Sequence, residues 1–497
     1  MRGMAQQGAD PRRWRALAVT LAAGFMSLLD VSIVNVALPS IQRGLEATAS
    51  DVQWVVSGYA LTFGLALVAG GRLGDVLGRR VMFLGALAGF VLTSAAAGAA
   101  PTITILIVAR LLQGLAAGML TPQNTGLIQD LFSGAERGRA FGLFGAMVGF
   151  STAVGPVLGG LIIAGFGVHD GWRWVFYVNA PVGVLAFVLA MRLVPHTSRH
   201  DGRIRDRIDF VGALLLGLGV LCVLLPVLQA EQFGLQELSW LFPLALVFGY
   251  VFLRWERAAP ARGKAPLLDT RLFGVRGFFS GATLGAVYFC GFAGIWLVFS
   301  MFYQFGLGYS ALHAGLVVTP FALGSAVSAA IAGRLVAQRG RWLTVTGLSL
   351  VAVGLSTVAI LVTVVPGDKV GWVSAVPMLI AGIGGGAVIS PNTTLTLQCV
   401  PKRMFGVAGG VLQTGQRLGA AIGTAVLAAV FHGVVSATGQ HELGASVAIA
   451  AAVAMIGVAL VLAVMDLRAG LAQRWRGDLA EATEESAVTD VHRAGPA

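Results

Sequence analysis

Residues 71–80 read Gly-Arg-Leu-Gly-Asp-Val-Leu-Gly-Arg-Arg, and residues 333–341 read Gly-Arg-Leu-Val-Ala-Gln-Arg-Gly-Arg. A shift of 262 positions lays Gly71-Arg72-Leu73 and Gly78-Arg79 onto Gly333-Arg334-Leu335 and Gly340-Arg341. A shift of 264 carries Phe141-Gly142, Gly145, Gly155 and Gly159 onto Phe405-Gly406, Gly409, Gly419 and Gly423. Two near-identical offsets across distant parts of one chain imply a duplicated unit, its two copies running in parallel. Most of the repeated positions are glycine. In lipid, small residues let helix backbones approach closely, and that approach supplies the association energy. The 68 glycines of the chain are tolerable for this reason.

Composition says where such helices must lie. Of 497 residues, 56% are hydrophobic and 11% charged, which excludes a soluble enzyme, a disordered chain and a disulfide scaffold. A membrane helix takes about 20 apolar residues. Apolar stretches at 16–38, 52–71, 81–99, 103–124, 139–163, 174–194, 209–229, 239–257, 277–304, 312–332, 343–365, 371–394, 405–431 and 443–465 predict fourteen of them. The expected organisation is an all-α membrane protein. A cytoplasmic segment 1–15 precedes a six-helix bundle 16–194. A central linker 195–276 carries two extra helices, 209–229 and 239–257, and is followed by a second bundle, 277–465. The charged tail 466–497 reads as a solvated helix or disorder. Arg12, Arg13 and Arg15 precede a first apolar run that holds Asp30 and outlasts a signal peptide's core, so an uncleaved first helix is expected.

The net charge of +11 follows the same topology. Basic residues gather in alternate loops and both tails. The opposite loops hold Arg43, Arg173 and Lys369 against Glu46, Asp51, Asp170, Glu231, Glu237, Asp368 and Glu442. The positive-inside rule places both termini in the cytoplasm of a cell-membrane protein, and a nucleic-acid partner is not needed to explain the charge. Cys222, Cys290 and Cys399 have no short repeat spacing, so neither disulfides nor a zinc site is expected.

Several polar constellations stand out against this apolar ground. Helix one contains Leu29-Asp30-Val31-Ser32-Ile33-Val34-Asn35-Val36-Ala37-Leu38-Pro39. An acid deep in an apolar span is expensive unless protonated, paired or wet, and apolar surroundings favour the protonated form of a carboxyl. Asp30 is thus the candidate proton carrier and a candidate substrate contact; the alternative is a structural partner for a neighbouring helix. Asn35 is a candidate for the pathway or for an interhelical hydrogen bond. Helix four spaces Leu106, Arg110, Gln113 and Gly114 as L-x-x-x-R-x-x-Q-G, and an intramembrane guanidinium demands an anion, water or carbonyls. Helix five carries Gly142, Ser151, Gly155-Pro156, Gly159 and Gly160. Its proline removes a backbone donor and its glycines permit close packing. The second copy has Ala420 and Thr424 where Pro156 and Gly160 stand, and Ala337 where Asp75 stands.

Together these segments resemble the major facilitator superfamily, and within it the fourteen-helix drug:proton antiporters. The 29–39 stretch is similar to that family's first-helix signature, with Ser32 in place of the usual Thr. Residues 71–80 resemble its hallmark loop, with Val76 departing from the usual basic residue. Helix five is similar to the antiporter motif, with Ser151 replacing one Gly. Trp172-Arg173-Trp174-Val175-Phe176-Tyr177-Val178-Asn179-Ala180-Pro181 also matches and reads as an outer interfacial anchor.

The resemblance implies two six-helix repeats plus a two-helix insertion. It implies proton coupling through Asp30 and Arg110; the candidate pathway includes Asp30, Asn35 and Gln113, with Gln413 and Gln416, which are more polar than their first-repeat equivalents. Gly71, Gly74, Asp75, Gly78, Arg79 and Arg80, with the helix-five glycines and Pro156, would form the conformational machinery. Asp75 is expected to accept from a helix N-terminus. Arg417 could line the cavity or pair with lipid or backbone. Asp209 reads as an N-cap and His313 as an interfacial histidine. No Walker A motif is present, so the expected energy source is the proton motive force, with no cofactor and no metal. The implied function is rocker-switch export of small lipophilic, often cationic, drugs or antibiotics from a lipid-embedded monomer. A dedicated exporter of one self-made compound, an uptake symporter and a non-transporting receptor share parts of this pattern.

Overall fold

The computed structural model describes residues 12–167, 169–195, 209–229, 237–259, 268, 270–309, 311–401 and 404–493. Residues 1–11 of the expected N-terminal segment, residues 196–208, 230–236, 260–267 and 269 of the expected linker, and the last four of the tail lie outside them. Sixteen α-helices and no strand occur among the described residues. The first seven are α1 (Arg12–Gly44), α2 (Ala49–Leu77), α3 (Arg79–Gly98), α4 (Ile103–Leu131), α5 (Gly134–Phe166), α6 (Gly171–Tyr177) and α7 (Asn179–Leu193). Two follow in the middle, α8 (Phe210–Leu228) and α9 (Leu241–Ala258). The last seven are α10 (Arg276–Ser300), α11 (Ala311–Arg339), α12 (Trp342–Val364), α13 (Gly367–Val373), α14 (Ala375–Gln398), α15 (Phe405–Thr438) and α16 (His441–Arg493).

Local chemistry sets these boundaries. Thr48 and Asp51 form a reciprocal capping box that starts α2, and the Thr102 side chain caps α4. Asp209 accepts from the Gly212 amide at 2.9 Å and so opens α8, as its position before the apolar run suggests. Gly78, at φ +93°, lets the chain turn between α2 and α3 within one residue. The segments expected at 174–194 and 371–394 each begin earlier and are interrupted, at Val178 and at Ser374. Pro181 and Pro377 each stand three residues beyond the interruption. A proline cannot donate to the carbonyl four residues back, so the helix breaks one turn before it.

Twelve helices among the described residues are long and apolar enough to cross a membrane. The chain is a multi-pass membrane protein. The expected segments 139–163 and 239–257, in α5 and α9, are not among the twelve.

Side-chain packing separates two bundles that touch at one end. One apolar cluster, with Ile33, Val34 and Trp172, draws only on α1–α7 and their loops; another, with Tyr288, Phe299 and Val351, draws only on α10–α16 and the segments between them. A third cluster joins both bundles, placing Val68, Ile128 and Phe141 against Leu397, Phe405 and Leu412. It lies at the end of the molecule that carries residues 71–80. There, backbones meet: a methyl group on Gly71 would run into the Gly406 carbonyl, and one on Gly142 into the Gly333 backbone. Helix α8 covers the seam, with Val220 and Leu224 against Leu61 of α2 and beside Leu418 and Ala421 of α15.

Candidate functional site

The polar residues of the first bundle converge on one carboxylate. Asp30 and Arg110 are fully buried, and Arg110 Nη1 donates to Asp30 Oδ2 at 2.5 Å. The second carboxylate oxygen, Oδ1, accepts from Gln113 Nε2 at 3.0 Å and from Asn179 Nδ2 at 2.9 Å. Asn179 Nδ2 also donates to Ser94 Oγ at 3.0 Å, and Ser94 in turn donates to the Phe176 carbonyl. Arg110 has two neutral acceptors besides the carboxylate, Gln113 Oε1 at 2.8 Å and the Val55 carbonyl at 3.1 Å. Its guanidinium lies 4.2 Å from the Tyr59 ring centre, a cation–π contact in a dry site. Five helices thus hold one ion pair: α1 supplies the acid, α4 the base and an amide, α2 a carbonyl and an aromatic face, α7 a second amide, and α3 a hydroxyl.

The helix geometry explains this convergence. Arg110 and Gln113 are three residues apart, so their side chains share a face of α4. Gly114 lets that helix sit against α2, because a methyl group there would strike the Tyr59 carbonyl. Gly155 faces Ser32, and Gly159 faces Ile33 and Val36, fixing α5 on α1 just beyond Asp30.

A cavity of about 60 Å³ adjoins the pair. It is lined by Val31, Val34, Val56 and Ala60, by the rings of Tyr59 and Phe63, and by Arg110 and Arg417. That volume holds a few waters, whereas drug-sized ligands need roughly 300–1,000 Å³. Arg110 separates Asp30 from this space. Arg417 comes from α15 of the other bundle and stacks on Phe63, 4.5 Å from its centre.

The remaining pathway candidates do not join the buried network. Asn35 is exposed. Gln413 is half-buried, one turn before Arg417 on α15, and its Nε2 is buried with no hydrogen-bond partner among the described residues. Gln416 faces Gly285 of α10.

The conformational motif forms a separate charged cluster where the bundles meet. Asp75 accepts from the Gly406 and Val407 amides, each at 3.2 Å, at the first turn of α15. Arg79 Nη2 donates to Asp75 Oδ1 at 2.8 Å, and its Nε pairs with Asp130 at 2.7 Å. Gly74 lies against the Gln123 side chain, and Arg80 donates to the Met191 carbonyl. In the second bundle the 262 offset carries Arg79 and Asp130 onto Arg341 and Asn392, which still bond at 2.6 Å. Asp466 supplies the missing charge, 2.6 Å from Arg341 Nε. Pro156 falls inside α5, and a methyl group on Gly160 would meet open space.

One expectation is corrected. Trp172 is not an interfacial anchor: it is completely buried among Ile33, Val34 and Ile41. Trp174, on the other side of the short helix α6, is half-exposed and stacks on Phe166. A seven-residue helix turns alternate aromatic residues to opposite sides, and only one of them reaches the rim. His313 stacks flat on Tyr309, with ring centres 4.1 Å apart. Asn179 and Ser94 are the site residues that sequence reading passed over. The available signal for Asn179 was an amide beside a proline-induced break in an apolar helix; Ser94, among alanines, carries none.

A family model described as Major Facilitator Superfamily matches residues 20–424. The chain is 35% identical to the puromycin resistance protein of Streptomyces alboniger, covering 99% of this chain and 96% of that protein. It is 33% identical to a probable actinorhodin transporter of Streptomyces coelicolor, covering 88% and 75%. Among solved structures, a human organic anion transporter superposes with a TM-score of 0.66 at 17% identity, covering 91% of this chain and all of that one. At that identity the likeness concerns the fold alone.

Proposed function

The chain belongs to the major facilitator superfamily, and from that premise we propose that it is a proton-coupled exporter of lipophilic drugs or antibiotics in the cytoplasmic membrane. It is a transporter and not an enzyme, and its named relatives, transport or resistance proteins for antibiotics, support efflux. In this reading α5 and α9 also cross, giving fourteen spans, two six-helix domains (16–194 and 277–465) and a two-helix insertion. At 1.5 Å per residue, the 33 residues of α5 extend about 50 Å and the 18 of α9 about 27 Å, against a hydrocarbon core of about 30 Å. Both termini and residues 71–80 face the cytoplasm, so the end sealed by Asp75, Gly71 and Gly406 is the inner gate and the state described is closed inward.

The observation that carries the proposal is the buried Asp30–Arg110 pair at the edge of a cavity shared by both bundles. Oδ1 of Asp30 is held by two amides, so an incoming proton settles on Oδ2 and displaces Arg110. Arg110 can let go, because Gln113 Oε1 and the Val55 carbonyl remain to it. Protonation therefore neutralises the carboxylate and leaves Arg110 with the net positive charge of the bound proton, its guanidinium still hydrogen-bonded to Gln113 Oε1 and the Val55 carbonyl, so the charge is carried by the site until the proton is released. Substrate enters when the inner gate opens, leaves on the other side, and is exchanged for the proton that returns the carrier. One charge moving through an assumed ~150 mV yields roughly 3.5 kcal/mol, enough for a gradient of a few hundred-fold.

Everted vesicles under a respiratory pH gradient test this. Adding a substrate should release protons through the wild-type chain, and Asp30→Asn should abolish the release while leaving the protein in the membrane. Unchanged coupling in Asp30→Asn would remove Asp30 as the carrier. Silence from a broad panel of cationic, neutral and acidic compounds, with expression confirmed, would refute proton-coupled export.

A further inference from the structure

The charge around the cavity does not match a cationic substrate. Asp30 is completely buried, compensated by Arg110 and separated from the cavity by that guanidinium. Every other lining residue is apolar or aromatic except Arg417. No described carboxylate pairs with Arg417; its contact is the face of Phe63. A guanidinium so placed is incompletely satisfied, because an aromatic face meets its charge but accepts none of its five N–H donors in the plane of the fork. One turn earlier on the same face of α15, Gln413 Nε2 is a buried donor without an acceptor among the described residues. A guanidinium lining the cavity with no described carboxylate beside it, a buried amide donor without an acceptor and two aromatic rings 6.0 Å apart describe the complement of a particular chemical group.

We propose that Arg417 and Gln413 bind an anionic oxygen of the substrate, so that the exported class is lipophilic aromatic acids, carboxylates or phenolates, with the substrate's ring against Phe63 and Tyr59. This rests on the export reading and specifies its cargo. Arg417 belongs to the second bundle and Phe63 to the first, so the substrate's anion and ring would be gripped by both sides of the seam when the halves part enough to admit it. A planar fork favours bidentate contact with a carboxylate, which a lysine ammonium does not reproduce. Charge also aids export: an anion leaving a cell that is negative inside moves down the membrane potential.

The test is binding by the full-length chain in lipid nanodiscs, with three probes that share one ring system: pyrenebutyrate, its methyl ester and pyrenebutyl-trimethylammonium. A hydrogen bond to a charged group contributes about 1.5–3 kcal/mol, so the acid should bind roughly ten- to hundred-fold more tightly than the ester, with the quaternary amine weakest. Arg417→Gln should bring the acid to the ester's affinity, Arg417→Lys should keep part of the preference, and Gln413→Ala should lose several-fold for the acid only. Equal binding of acid and ester to the wild type, tightest binding of the amine, or no binding of the acid overturns the proposal. If Arg417→Gln does not fold, the wild-type order and Arg417→Lys decide it. Binding needs no proton gradient, so a failure of export in vesicles leaves this affinity order standing, and a failed order leaves export standing.

Discussion

Asp30 would be an intolerable charge in an apolar helix were it alone. Its three donors come from two other helices, α4 and α7, and the one that arrives from farthest along the chain is Asn179. Removing one partner of a buried pair costs about 3–5 kcal/mol, because the other is left uncompensated. Replacing an amide that bonds the charged oxygen costs less, about 1.5–3 kcal/mol. Asn179→Leu should therefore leave a folded chain whose substrate-driven proton release is slowed about tenfold or more, while Asn179→Gln, which can still donate, should retain more of it. Vesicle assays at matched expression measure the difference, and equal rates for Leu and wild type would reduce Asn179 to a packing residue.

Helix α15 is the element on which both the gate and the cavity depend. Its first-turn amides have no intrahelical acceptor, and Asp75 is the group that satisfies Gly406 and Val407. A carboxylate at a helix N-terminus contributes about 0.3–2 kcal/mol. Asp75→Asn should accordingly accelerate hydrogen exchange at these two amides by roughly two- to thirty-fold, with little change in α12, which packs against α14 and α16. No acceleration would mean that close glycine packing alone holds the bundles together at this end. The second copy of the loop contains no equivalent acid, Ala337 standing there, and its arginine is instead tied to Asp466 at the end of the last membrane span. The duplicated loops have thus diverged in their charges: the acid of the first bridges the two bundles, whereas the arginine of the second is paired within its own, although Gly333 still packs on Gly142 of the first.

Charge distribution over the loops predicts an orientation that can be tested. With basic residues in alternate loops and the tails, a fluorescent-protein reporter fused after residue 497 should fluoresce and an alkaline phosphatase fused there should be inactive. A phosphatase inserted between residues 231 and 236, in the loop joining α8 and α9, should be active. Activity at the C-terminal fusion, or none at the loop insertion, would contradict fourteen crossings with both ends inside. Helix α8 bears on the seam itself, since it touches α2 and α15 through Leu61 and Leu418. The inserted pair is therefore positioned to follow any parting of the bundles, although nothing in its own sequence marks it for that task.

Amino-acid order alone carried the all-helical, multi-pass fold, through apolar lengths and glycines repeated at offsets of 262 and 264, and it singled out the candidates Asp30, Arg110 and Asp75. These are legible because the bilayer imposes a length and a polarity on every segment, and because a duplicated backbone leaves its close-approach residues at fixed distances along the chain. Tertiary packing alone settled which polar groups meet. Asp30 bonds residues 80, 83 and 149 positions away, and no local periodicity encodes such a meeting. It also moved Trp172 from the rim into the core and left Arg417 facing a cavity without an anion. A side chain's partner across helices follows from how whole helices dock, and docking is a property of the assembled bundle that no single segment contains.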